Sequence, residues 1–290
     1  MSAGTLITVA PTGAEADKAE VPALPVTPDE LVATAKDCQA AGAGIIHVHI
    51  RDDDARPTLD LGRLRDTVAA LRTATDLVVQ LSTGGAVTDA ETDRLRVLDA
   101  APEMASCTMG TVNFGDEVFS NRWDLIVALH TRMQERGVVP EYEIFDLGHL
   151  WSLQRLLERY GLPAGGHVHV DLVMGVPGGM PGTAAALVAC QAALRDLPEG
   201  TTYSATGIGR TTLPVMLASL SAGGHLRVGM EDTLSYARRQ PVESNAQLVS
   251  RAAELARIAQ RPPLTAHEVR QLLRIPPGSG VPSTGIGQQQ

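Results

Sequence analysis

The sequence predicts an α/β protein of the (β/α)8 TIM-barrel type, folded as a single domain. Three observations carry this expectation. Strand-like and helix-like segments alternate eight times along the chain. Polar and glycine-rich stretches recur just after the strands, where barrels of this kind keep their chemistry. The chain of 290 residues is long enough for one such barrel, which commonly needs about 250.

The elements follow in order. Residues 5–10, Thr-Leu-Ile-Thr-Val-Ala, read as a buried strand that ends in the turn Pro11-Thr12-Gly13-Ala14-Glu15. A polar, proline-rich loop covers 16–27. A helix starts near Asp29, with Thr27 as its cap, Pro28 in the first turn and Glu30 three after the cap, and it ends near Gly42. The second strand centres on Ile45-Ile46-His47-Val48-His49-Ile50, whose β-branched residues favour a pleat. Arg51-Asp52-Asp53-Asp54 reads as a polar turn, in which Asp52–Asp54 are a solvated turn rather than a charged cluster. A helix covers 60–73, and Leu77-Val-Val-Gln-Leu81 is the third strand, closed by Ser82-Thr83-Gly84-Gly85.

The pattern then repeats. A helix from Asp89 to Ala100 leads to a short strand, Met104–Thr108, and the segment Gly110–Gly115. A helix over 121–136 ends at Gly137, and Glu141–Asp146 is the fifth strand. A helix over 148–160 precedes Gly166–Met174, the sixth. Helix 183–195 leads to strand Thr202–Thr206 and the loop Gly207-Ile208-Gly209-Arg210. Helix Thr211–Ala222 leads to Leu226–Met230, followed by Glu231-Asp232, and a last helix covers 244–260. The expected catalytic domain is 1–275. A helical patch at Ala266–Leu273 reads as a cap, and 276–290, rich in Pro, Gly and Ser, as a flexible tail.

Bulk properties narrow the function. Net charge is −9, from 24 basic and 33 acidic residues, which argues against general nucleic-acid binding. Three widely spaced cysteines form neither a disulfide framework nor zinc-finger spacing, so a reducing cytoplasm fits. No window approaches the roughly 18 apolar residues of a membrane span, and the start lacks the marks of a signal peptide.

The strongest chemical signal is His47-Val48-His49. Side chains alternate along a strand, so both imidazoles point one way and can grip a single metal ion. Two satisfied core histidines are the competing reading, but burying two unpartnered imidazoles is costly. On the eighth strand Arg227, Gly229 and Glu231 share a direction. In a closed barrel the second and eighth strands both flank the first, so Glu231 is expected to approach the histidine pair. Two histidines and one carboxylate leave metal positions open for substrate. Zinc is the first expectation, although the same set describes non-haem iron sites.

Other residues carry weaker signals. Gly207, Gly209 and Arg210 lie at a helix mouth, where backbone amides favour anions, or else form a plain turn. Gly84 and Gly85 permit close backbone approach, or merely a tight turn. His167-Val168-His169 is a rival pair, for which pocket wall or polar core is the better reading, with His169 as the wall candidate. His130 and His267 read as helix-surface residues.

Taken together, these segments resemble the β-keto acid cleavage enzymes over about residues 5–275. The resemblance rests on Thr12-Gly-Ala-Glu15, His47-Val-His-Ile-Arg-Asp52, Ser82-Thr-Gly-Gly85, Gly110-Thr-Val-Asn-Phe114 and Glu141-Tyr-Glu-Ile-Phe-Asp146. It rests further on Gly207-Ile-Gly-Arg210, Gly223-Gly-His-Leu-Arg-Val-Gly-Met-Glu-Asp232 and Ser244-Asn-Ala-Gln-Leu-Val249. It implies a barrel, usually a homotetramer, with zinc or another divalent metal on His47, His49 and Glu231. It implies a reaction of a β-keto acid with acetyl-CoA, giving acetoacetate and a new acyl-CoA. Asp232 maps to the general base and Arg227 to its partner. Glu15, Ser82 with Thr83, either Ser106 or Thr108, and Glu143 map to the polar wall around substrate. The polar sixth strand departs from the family's apolar pattern and leaves the substrate's side chain open. Carnitine-like, amino and neutral keto acids all fit. A metal-dependent aldolase or hydrolase on the same barrel, or a non-catalytic metabolite-binding barrel, are the alternatives.

Overall fold

The computed structural model describes residues 4–279. Eight parallel strands close into a barrel: β1 (Ile7–Val9), β2 (Ile45–Val48), β3 (Val78–Leu81), β4 (Met104–Thr108), β5 (Val139–Ile144), β6 (His169–Met174), β7 (Thr202–Gly207) and β8 (His225–Val228). Each strand pairs with its neighbours in sequence, and β8 pairs with β1 (Leu226 opposite Ile7) to close the ring. The helices α1 (Pro28–Ala41), α2 (Leu61–Ala74), α3 (Glu91–Arg96), α4 (Trp123–Arg136), α5 (Leu147–Tyr160), α6 (Ala184–Leu194), α7 (Thr212–Ser221) and α8 (Asn245–Ile258) follow the strands one by one. The predicted barrel is the observed one.

Local chemistry sets the helix ends. Thr27 and Glu30 form a reciprocal capping box at α1, with Pro28 in its first turn, and Gly42 ends the helix in the left-handed region. Asp60, Thr183 and Ser244 cap α2, α6 and α8, each side chain accepting one amide of the first turn. The fifth strand starts two residues earlier than the sequence suggests, because its partner β4 pairs Met104 with Val139. It also stops earlier, because the Asp146 carboxylate caps α5 by accepting from the Gly148 amide. The sixth strand starts later, at His169, because Pro163–Gly166 forms a turn with Gly165 and Gly166 at positive φ.

The core between strands and helices is apolar on every side. A ninth helix, α9 (Ala266–Leu272), lies under the N-terminal mouth. Val269 packs there with Leu6, Ile45, Val78, Met104 and Val139, the first residues of the barrel floor. Arg270 fastens it to Glu103 through two hydrogen bonds of 2.7 and 2.9 Å. Of the expected tail, 276–279 are described and 280–290 lie outside the described residues.

Three short hairpins were not foreseen: Ile50–Arg51 with Pro57–Thr58, Val112–Phe114 with Glu117–Phe119, and Ser235–Ala237 with Gln240–Pro241. Strands of two or three residues carry no measurable period. All three decorate the C-terminal mouth. His130 also corrects the sequence reading. It is fully buried rather than on the helix surface, because it shares the inner face of α4 with Ile126, Leu129 and Met133. Its Nδ1 lies 2.9 Å from the Tyr142 hydroxyl.

His225 is buried at the base of β8, where its Nδ1 accepts the Leu6 amide at 3.1 Å. Burial first, then the charges of His169 and Arg261, push its pKa down to about 3. The unfolded imidazole takes a proton near pH 6.5, so this contribution to stability is complete above that pH. It is lost progressively as pH falls toward 3, at up to about 1.4 kcal/mol per pH unit per proton. His225→Asn, which keeps an acceptor but cannot titrate, is expected to flatten the acid slope of unfolding free energy between pH 6 and 4. Urea denaturation across that range checks it, and an unchanged slope would refute the assignment.

Candidate active site

The C-terminal mouth holds a cavity of about 380 Å³. Strands β2 and β8 and the loops after β1, β2 and β8 supply its charged wall: Glu15, His47, His49, Arg227, Glu231 and Asp232. Because β1 sits between β2 and β8, His47 and Glu231, 184 positions apart in sequence, meet over its end. His47 Nε2 and His49 Nε2 lie 3.8 and 3.6 Å from Glu231 Oε1. One donor atom from each of the three lies within 4.8 Å of the others.

The donor set fits a cation. His47 Nδ1 is 2.6 Å from Gln80 Oε1, which pairs beside it on β3 and must receive the ring proton. That leaves the Nε2 lone pair facing Glu231. Burial and the Arg227 charge lower the His47 pKa to about 4, so the ring is neutral at pH 7. Glu231 Oε2 is buried without a hydrogen-bond partner, an expensive state that a positive ion would relieve. Burial raises the Glu231 carboxyl, but Arg227 and the two imidazoles outweigh it and hold it well below the usual range. Gly13, at positive φ, lets the β1 loop close on this carboxylate: a Cβ there would stand 2.6 Å from Glu231 Cγ.

Arg227 joins the acidic residues. Its Nη2 donates to Glu231 Oε1 and, at 3.0 Å, to Asp232 Oδ1, while Nε donates to Asp232 Oδ2 at 3.3 Å. Its Nη1 lies 3.5 Å from Glu143 Oε1. Burial raises the Asp232 pKa to about 6, with Arg227 opposing and Glu231 reinforcing the rise. The carboxylate is therefore basic yet mostly ionised at neutral pH. The backbone around it is pinned: Gly209 N–H donates to Asp232 O at 2.7 Å, and Asn245 Oδ1 accepts the Met230 amide at 2.8 Å.

Several expected wall residues stand elsewhere. Ser82, Gly84, Gly85 and Glu143 line the cavity. Thr83 and Ser106 do not; they bond each other behind it, Thr83 N–H to Ser106 Oγ and Thr83 Oγ1 to Ser106 O. Thr108 is also behind the wall, donating to Glu143 Oε2 at 2.6 Å, so it holds Glu143 and does not face substrate. Gly207, Gly209 and Arg210 form no anion cradle: Gly207 packs against the start of α7, the Gly209 amide is spent on Asp232, and Arg210 is exposed. Only Ile208 of that loop reaches the cavity.

His169 is not a wall residue either. It opens β6 deep in the barrel, with Nδ1 2.8 Å from Thr202, Nε2 3.2 Å from Ser204 and 3.4 Å from Glu141. Asp171 beside it accepts from Thr206, and burial together with Glu141 raises its pKa well above the carboxylate range. The polar sixth strand thus faces a buried network under the site. His167 bonds Thr202 at the base and forms no metal pair with His169.

Three contributors were missed. Gln80 orients His47. Arg51, read only as the start of a polar turn, is buried and clamps the β1 loop through Gly13 O and Ala16 O at 2.7 and 3.0 Å. Phe114, Phe119 and Phe145 line the cavity opposite the charged wall. Their positions just beyond the fourth and fifth strands were the available signal.

Fold and site together define a barrel enzyme with a two-histidine, one-carboxylate cluster and an adjacent buried carboxylate. The family model for the beta-keto acid cleavage enzymes matches residues 5–275, and the chain belongs to that family. It is 37% identical over 276 residues to the 3-keto-5-aminohexanoate cleavage enzyme of Acetoanaerobium sticklandii, covering 93% of this chain and 98% of that one. It is 34% identical over 277 residues to the 3-oxoadipate:acetyl-CoA acetyltransferase of Cupriavidus necator, covering 95% and 96%. The apo structure of ObcA superposes with a TM-score of 0.77 at 20% identity, covering 90% of this chain and 66% of that one, a likeness of fold.

Gln80→Leu is expected to weaken Zn2+ binding about 10–100-fold, since it removes the acceptor that orients His47. Competition titration against a chromogenic chelator measures this, and an unaltered affinity would show that Gln80 has no such part.

Proposed function

We propose that this protein exchanges acyl groups between a β-keto acid and acetyl-CoA, with a divalent cation in the His47–His49–Glu231 centre. The observation that carries the reading is the buried Asp232 carboxylate, held by Arg227 beside that centre. In the net reaction, R–CO–CH2–COO⁻ and CH3–CO–SCoA give R–CO–SCoA and CH3–CO–CH2–COO⁻. One carbon–carbon and one carbon–sulfur bond break, one of each forms, and no oxidant is needed.

A cation held by His47, His49 and Glu231, zinc in the first instance, supplies when bound a Lewis acid for the 3-keto oxygen. The chain's own residues do the rest. Asp232 takes a proton from C2 of the β-keto acid, a carbon acid that needs a placed base. Arg227 grips both Asp232 oxygens, fixing the carboxylate and keeping it charged despite burial. The resulting C2 carbanion attacks the thioester carbonyl and forms a carbon–carbon bond; CoA then passes within the adduct from that carbon to C3, and cleavage of the C2–C3 bond leaves R–CO–SCoA and releases acetoacetate. The Ser82 hydroxyl accepts from the Gly84 amide at 3.1 Å and keeps its own proton for developing negative charge. Glu143, tied to Arg227 and Thr108, completes that side of the wall.

The remaining features of this reading have their own support. The apolar residues Val188, Leu213 and Leu217 stand exposed on neighbouring α6 and α7, which suits burial between copies in a tetramer. The three cysteines are buried and unpaired, which suits a reducing cytoplasm. Among the described residues no helix is long and apolar enough to cross a membrane.

Zinc-loaded protein given a β-keto acid is expected to release acetoacetate only when acetyl-CoA is present. An aldolase or hydrolase would release product without acetyl-CoA, and a metabolite-binding barrel would release none. Asp232→Asn should keep its zinc, lose at least about 100-fold in acetoacetate release, and stop catalysing exchange of the β-keto acid's C2 protons with D2O. Undiminished exchange by NMR would remove Asp232 from the role of base.

A further inference from the structure

We infer that the β-keto acid taken by this site carries an uncharged hydrocarbon group on its keto carbon, seated against Phe114, Phe119 and Phe145. This deepens the reading above and rests on it.

The cavity is divided by sequence position. Its charged residues come from the ends of β1, β2 and β8, with Glu143 as the one addition from β5. The far side is Phe114, Phe119, Phe145, Val173, Val176 and Ile208, from the loops after β4 to β7. The chain has three phenylalanines in 290 residues, and all three stand here. Phe119, Phe145, Val173 and Val176 are nearly buried, so this surface is the cavity's inner wall and not its rim. The CoA arm, too large for such a recess, has to enter from the open mouth. A keto group near the centre, with its carboxylate arm on the polar side by Ser82, directs the third substituent onto the phenylalanines.

Charge on that substituent is disfavoured in both signs. The three rings are spent on one another, edge to face at centroid distances of 6.2–6.5 Å, so they do not form a cage of open faces around a cation. Arg94 already stacks on Phe119, with its guanidinium 4.9 Å from the ring centroid, and would repel a second positive charge. Arg94 offers nothing to a carboxylate, because its three nitrogens donate to Thr83 O, Ser120 O and Asn121 Oδ1 and it is buried behind the ring. Glu143, the carboxylate that β5 adds to the wall, already has partners on both oxygens: Arg227 Nη1 lies 3.5 Å from Oε1 and Thr108 donates to Oε2. Buried charge without a partner is costly, whereas each methylene placed on this wall gains affinity.

The test is a panel of β-keto acids of matched length, ending in a methyl, a primary ammonium, a trimethylammonium or a carboxylate group. Zinc-loaded enzyme and acetyl-CoA are held constant, and kcat/KM is read from acetoacetate release. The methyl-ended acid is expected to exceed each charged acid at least 10-fold, and kcat/KM is expected to rise severalfold per methylene until the recess is filled. A charged acid that equals or exceeds it, or indifference to chain length, overturns the inference while leaving the reaction standing. Val176→Asp should cut the methyl-ended acid at least 10-fold and favour the ammonium-ended one; an unchanged order also overturns it. Silence from the whole panel sinks the proposed reaction itself. Calorimetric binding of the same acids to the zinc-loaded protein then decides the wall's preference, with the same order expected and the reverse order refuting it.

Discussion

One guanidinium holds the active site together. Arg227 is buried among Glu231, Asp232 and Glu143, three carboxylates that could not all stay ionised in so little water without it. It is therefore the counterion for Glu231, Asp232 and Glu143 at once. Its position follows from the barrel: β8 closes the ring against β1, which aims Arg227 up the axis and delivers Glu231 to the histidines of β2. Removing one partner would leave the others buried and unbalanced, so these residues form a single electrostatic unit rather than separate sites.

The surrounding shell is built from groups that look unremarkable in a sequence. Gln80 faces His47 because β2 and β3 pair in that register. Arg51 and Gly13 draw the first loop over Glu231, and Gly209 and Asn245 pin the turn that carries Glu231 and Asp232. Each interaction is a backbone contact or a single hydrogen bond across strands.

This explains what was legible beforehand. Strand parity and barrel closure put His47, His49 and Glu231 together from the sequence, because both are set by local geometry. Helix caps such as Thr27 and Glu30 were visible for the same reason. Parity also turned His169 inward, yet it does not tell how deep along the axis a residue lies. His169 therefore fell below the cavity instead of in its wall. Thr108 and Gly209 were expected to face substrate, but hydrogen bonding turned them to Glu143 and Asp232. The hairpin carrying Phe114 and Phe119 is too short to leave a period, so the apolar recess emerged only in three dimensions.

The separation of the mouth into two arcs has a consequence for how such a barrel diversifies. In the proposed reaction bond making falls to the β8–β1–β2 arc, while the opposite arc decides mainly what is admitted. Because the two sets of loops hang from different strands, those after β4 to β6 can change length or side chain without disturbing the charged unit. A lineage built on this plan can try new foodstuffs while keeping one chemical engine intact.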